Sequence, residues 1–390
     1  MTHGRDGFSL ARRAALMVAR ASRTLVVAAT AAAIALLAGV GVGHAGPIDE
    51  LVVTNSNFPL QGSINVFAPG GGKNAKPTTV ISGGPLIPGL NATQLLSGID
   101  INPVGGALYV TQDLGLLAPG LDLVSIFAPN ATGASGPIGT IFSTETAVLS
   151  LPQDVAFVKG GGGAGDFVVS NLTAGLSEAT GVGSVIQYPS IAGTSGWDGN
   201  PVGVLLNALD CSESAENTGI VLPVGVATDS VGNVYVANQG VAGLAPSIVT
   251  IYAPGAFGCV NPIGAVGRGT LVQADYVDVD TEGDVWVSDL AQNAIFEFDP
   301  VLGPDGLPLT SIIGKKPHLK SPMGIAISPS AAEAGVTSIY VANNGLGEVD
   351  LFENVEDGGL LNIRRRVALK GKRTKLNLPV GLATPPVVPD

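Results

Sequence analysis

Three aspartates are the residues of this chain best placed to do chemistry: Asp154, Asp275 and Asp278. They sit in Leu151-Pro-Gln-Asp-Val-Ala-Phe157 and Ala274-Asp-Tyr-Val-Asp-Val-Asp280. Both segments are counterparts of a segment almost free of acids, Leu222-Pro-Val-Gly-Val-Ala-Thr228. Asp154 stands in the place of Gly225, Asp278 in the place of Ala227, and Asp275 one step before Tyr276. If these segments line one axis, their carboxylates gather there, and mutual repulsion favours a bound cation or a retained proton. Oxygen ligands suit a hard cation, calcium first. The three aspartates are therefore the candidate ligand-binding set, and calcium is the one cofactor they suggest.

Other constellations carry less. Asp278 to Asp289 places acids at positions 1, 3, 5 and 12 and Gly at 6, as a calcium loop does. Position 12 is Asp rather than Glu and no helices flank it, so the segment reads as a β-hairpin. Asn55, Gln112, Asn171, Asn238, Asp289 and Asn343 each follow a short apolar run. Short polar side chains at strand ends bond local backbone and fix the next turn. His318 is the only histidine after residue 45, so no Ser-His nucleophile is assembled. Cys211 and Cys259 are the only cysteines and form the candidate disulfide. Cys211 falls in a long loop between two repeats and Cys259 in a turn of the second, and the spacing leaves open whether the two loops share a face.

These residues are positioned by an internal repeat. Leu222 to Asn238 reads strand, turn, strand, with Asp229-Ser-Val-Gly-Asn233 as the turn. A third strand follows in Ser247–Pro254 and a fourth in Pro262–Val266. The same order begins again at Ser97, Leu151, Ala274 and Pro322. The region after residue 46 opens with a second-type strand, Glu50–Asn55, and a third, Gly62–Pro69. The C-terminus ends on a first-type strand, Leu378-Pro-Val-Gly-Leu-Ala-Thr384, nearly a copy of Leu222–Thr228. The two ends together supply a sixth unit. The expectation is an all-β, six-bladed propeller over 46–384, closed by pairing of the N-terminal strands with the C-terminal strand, with 385–390 as a tail.

Pro-x-Gly-Ile/Val-Ala, then Gly-Asn-Val-Tyr-Val-Ala-Asn, then a strand ending Tyr-Ala-Pro-Gly resembles the NHL-repeat propellers, over about 46–384. The wider six-bladed clan includes gluconolactonase-like and regucalcin-like enzymes. The resemblance implies a divalent metal at the channel mouth, held by carboxylates and amides, several at the x of Pro-x-Gly. The corresponding positions here are Ser97, Gln153, Val224, Asp275, Met323 and Val380. Asp275 alone is a carboxylate, so it is the candidate metal ligand, and three of the six are apolar.

The N-terminus and the charge balance complete the reading. Residues 1–24 hold five arginines and one acid, and Leu25–Val42 is an unbroken run of small and apolar residues followed by Gly43-His44-Ala45. This is the pattern of a secretory signal peptide, 1–45, so the chain is expected to be exported, periplasmic or secreted, with no membrane anchor after cleavage. Beyond residue 45, 14 basic residues face 30 acidic ones. That balance argues against nucleic acid as a partner. Seven of the 14 lie between Arg364 and Lys375, a solvated edge that deters strand pairing or, alternatively, a patch for an anionic polymer. The expected function is a monomeric, exported, non-enzymatic binding scaffold for a protein or polysaccharide. The alternative is a divalent-metal-dependent lactone or ester hydrolase of the gluconolactonase-like type with a reduced ligand set.

Overall fold

The computed structural model describes residues 50–385, apart from 57–61, 84, 88–89, 92–95, 114–121, 143–148, 173–182, 190–199, 206–210, 212–216, 329–336 and 358–359. The expected signal peptide, 1–45, and tail positions 386–390 lie outside the described residues. Six four-stranded antiparallel sheets follow one another around a ring. Blade 1 is composite: Pro379–Ala383 pairs with Leu51–Asn55, which continues to Ser63–Phe67 and Thr79–Ile81. Blades 2 to 6 begin with the inner strands Leu96–Ile101, Pro152–Phe157, Pro223–Thr228, Ala274–Val279 and Pro322–Ile327. The order within blades 2 to 6 is sequential.

The second and third strands are buried on both faces, because each blade packs against two neighbours. The core is accordingly divided. One cluster joins blades 4 and 5, another 6 and 1, and others 2 with 3, 1 with 2, 3 with 4 and 5 with 6. No blade buries its apolar faces alone, which is why the closing strand matters to stability.

Local chemistry repeats with the blades. Asn171, Asn238, Asn343 and Asn55, at the ends of second strands, accept from the backbone N–H of Ser150, Val221, Lys320 and Asn377. Asp289 does the same for Val272. Each bond braces the turn two residues before an inner strand. Leu151, Leu222, Ser321 and Leu378, next in line, adopt positive φ near 50°. A non-glycine residue there is strained, and the hydrogen bond beside it holds the turn in place. The polar series is thus spent on architecture.

Hydroxyls near the ends of the second strands tie the blades at the axis. Thr54 donates to Ser97 O at 2.6 Å, Thr111 to Gln153 O at 3.1 Å, and Ser170 to Val224 O. The x residues of the inner strands are therefore fixed from the neighbouring blade.

Candidate functional site

The third residue of each inner strand lies closest to the next blade. Four are glycines, and a Cβ on Gly225 would stand 2.6 Å from Asp275 O and 2.7 Å from Tyr276 Cα. Blades 3 and 5 place Asp154 and Tyr276 in this column. Their side chains fill the axis. Tyr276 Oη reaches Ser97 Oγ of blade 2, opposite its own, at 3.3 Å and Gln153 O of blade 3 at 3.5 Å. Burial raises its hydroxyl well above the ordinary range.

Asp154 Oδ2 accepts from the Val226 N–H of blade 4 at 3.1 Å. Its burial, with Asp100 and Asp278 nearby, lifts its carboxyl well above normal. Asp278 Oδ1 accepts from Val279 N–H at 2.8 Å, and its Oδ2 from Ile327 N–H of blade 6 at 2.9 Å. Lys159 Nζ lies 3.8 Å from Asp278 Oδ1. Asp100, at the same strand position on the opposite blade, mirrors this by accepting from Ile101 and from Phe157 of blade 3. Burial pushes its carboxyl up to about 6. These carboxylates act as staples between adjacent blades.

Asp275 is different. Its Oδ1 accepts from Gln239 Nε2 of blade 4 at 3.2 Å, and its Oδ2 has no hydrogen-bond partner although the residue is only 3% exposed. Burial pushes this carboxyl up to about 7, with Asp289 adding to the rise. Around it the channel mouth is apolar. Val224, Val380 and Tyr276 pack together, with Leu172 and Met323 against them.

The structure does not draw Asp154, Asp275 and Asp278 to one point. Each is engaged on its own, at the third, second and fifth residue of its strand. Among the described residues, three ligating side chains come within 4.8 Å of one another at Asp280, Asp284 and Glu297, all buried. Asp280 is already committed: its Oδ1 accepts from Glu282 and Asp284 N–H, its Oδ2 from Trp286 Nε1 at 3.0 Å. The sequence reading took this segment as a hairpin, which it is, and missed Glu297, contributed by the next strand opposite Trp286. The crossing of Tyr276 was also missed, although its place in the glycine column was the available signal.

Cys211 and Cys259 are disulfide-bonded, with Cα atoms 5.5 Å apart, so the two loops share a side of the fold. The basic stretch is partly consumed internally. Arg365 pairs with buried Glu348 and Asp350 at 2.6 and 2.8 Å, Lys370 pairs with Glu348, and Arg366 lies 3.7 Å from Glu353.

No protein-family profile and no curated protein sequence matches the chain. Solved structures do. A chain of a nidogen/laminin complex is similar at 9% identity and TM-score 0.51, covering 86% of this chain and 98% of the other. A Lactobacillus plantarum protein is similar at 10% identity and TM-score 0.52, with the same coverages. A periplasmic gluconolactonase of Pseudomonas aeruginosa is similar at 14% identity and TM-score 0.49, covering 87% of this chain and all of that one. At such identities the likeness concerns the propeller fold and not the activity.

Proposed function

We propose that this propeller is a binding scaffold for a protein or polysaccharide and not a hydrolase. The observation that supports the reading is the composition of the channel mouth. A hard divalent cation takes six to eight oxygen ligands. The ring of x residues offers one carboxylate, Asp275, beside Val224, Met323 and Val380. Asp154 and Asp278, the other expected ligands, are occupied by backbone N–H groups at other levels. A rigid scaffold of this kind places recognition on the loops it carries, which need no catalytic set in the channel.

The test is a calcium titration of the purified protein followed by a lactone and ester screen. The scaffold reading expects no stoichiometric calcium at the channel and no turnover above the uncatalysed rate. Turnover that requires calcium and is lost in Asp275→Ala would overturn it in favour of the gluconolactonase-like alternative. We also propose export of the chain with cleavage after Ala45, as the arginine-led apolar segment suggests. Among the described residues, no helix is long and apolar enough to cross a membrane. Sequencing of the mature N-terminus from periplasmic and culture fractions decides this point.

A further inference from the structure

The channel mouth holds a buried carboxylate oxygen with nothing to bond. Asp275 occupies on blade 5 the position that Val224, Met323 and Val380 occupy on blades 4, 6 and 1. All four inner strands share the same register irregularity after their first residue. Asp275 therefore holds the same register position around the axis as those three side chains. Val224 and Val380 pack on the Tyr276 ring, and Met323 and Leu172 complete the wall. On the other side of the axis, the ring of x residues turns polar at Ser97 and Gln153, which hold the Tyr276 hydroxyl.

The charge on Asp275 has no counterpart. Among the described residues no lysine or arginine pairs with it, and its donor is the neutral amide of Gln239. Asp289, the acid that adds to its repulsion, is itself saturated by Val272 and Gln273 N–H and by the Gln292 amide. A buried carboxylate left one donor short is costly, and that cost is recovered by whatever supplies the donor. A metal ion would find too few oxygens here. An ammonium group needs only one carboxylate, and it gains further from an aromatic face and aliphatic walls.

We propose that the channel mouth binds a small organic cation, an alkylammonium group whose N–H donates to Asp275 and whose carbon chain lies on Val224, Met323, Val380 and the Tyr276 ring. This rests on the binding reading above and narrows it to one ligand class at one end of the channel. Gln239, half-buried, donates to the other carboxylate oxygen, Oδ1, and leaves Oδ2 to the cation.

The experiment is calorimetric titration of the full chain with n-butylammonium chloride, with n-butanol as the neutral isostere. The expected result is one ammonium per chain, with butanol weaker by at least about tenfold, the factor set by 1.4 kcal/mol. Asp275→Asn, nearly isosteric, should lose at least the same factor while keeping its melting temperature within a few degrees. Gln239→Ala, which takes the donor from Oδ1 as well and leaves the carboxylate more in need of one, should tighten ammonium binding severalfold, and this second variant keeps the test decisive if Asp275→Asn fails to fold. Equal affinity for butanol and butylammonium, or undiminished binding by Asp275→Asn, overturns the cation inference and leaves the scaffold reading standing. Absence of ammonium binding at millimolar concentrations also overturns it. Calcium-dependent lactone turnover overturns the scaffold reading instead, so the two failures are distinguishable.

Discussion

The turns between the first and second strands of blades 4 and 5 share one backbone and differ in what they enclose. In blade 4, Asp229 Oδ1 accepts from Val231 and Asn233 N–H, and its Oδ2 accepts from Asn233 Nδ2 at 2.7 Å and Tyr235 Oη at 3.1 Å. In blade 5, Asp280 makes the same two backbone bonds, and Trp286 Nε1 replaces the tyrosine. Asp284 stands where Asn233 stood, and Glu297 where Ile251 stood. One amide-to-acid exchange and one apolar-to-acid exchange turn a satisfied turn into three buried acids. The backbone bonds set the conformation, and the side chains set only the electrostatics. The inner strands of the same two blades diverge likewise: blade 4 has Val224 and Gly225 where blade 5 has Asp275 and Tyr276.

The comparison can be broken most severely at the glycine. Gly225→Ala should lose at least about 3 kcal/mol of stability, because its Cβ would meet backbone and not a yielding side chain. Urea unfolding measures this, and a loss under about 1 kcal/mol would show that the blades separate easily at the axis. Asn233→Asp should then make blade 4 imitate blade 5 without its other adjustments. It replaces a donor with a second carboxylate facing Asp229, at a cost of about 2 kcal/mol. The reverse exchange, Asp284→Asn, should stabilise the protein by about 1 kcal/mol in the same assay at neutral pH, by giving Asp280 a donor. No gain would mean that the blade 5 acids are already neutralised by protons or a bound cation.

A slope with pH is expected as well. Asp100, Asp350 and Asp275 have carboxyls lifted to about 6, 6 and 7, each first by burial. A raised value means that the folded chain holds the proton more tightly than the unfolded chain does. Their contribution to stability therefore falls as pH rises from about 4 to about 7. Melting temperatures across that range should show the decline, and Asp275→Asn should flatten its upper part. A melting temperature that climbs steadily from pH 5 to 7 would contradict this.

The architecture was legible in the sequence because a propeller writes its period into the chain. Pro-x-Gly marks three of the six inner strands, and a short polar side chain ends the second strand of every blade, so the period shows even where single positions vary. The closing pair was visible because Leu378–Thr384 copies Leu222–Thr228 almost residue for residue. The site was less legible. Strand alignment placed Asp154, Asp275 and Asp278 near the axis, but not at one height along it. Nor could alignment show that Asp154 and Asp278 would be taken up by N–H groups of the next blade, since those bonds depend on how closely neighbouring blades approach. Glu297 was invisible for a related reason: its partners lie 13 and 17 residues earlier and meet it only through strand pairing.

The composite blade also has a consequence in time. Its inner strand, Pro379–Ala383, pairs with Leu51–Asn55 across more than 300 intervening residues. A ribosome delivers that strand more than 300 residues after its partner, so the ring stays open over that whole stretch of synthesis. Until then blade 1 lacks its axis strand and three apolar clusters, those that hold Val380, Leu382 and Ala383, stay incomplete. Contacts this distant in sequence form slowly. The nascent protein therefore passes through a long interval as an open arc with exposed strand edges, the state most in need of a chaperone.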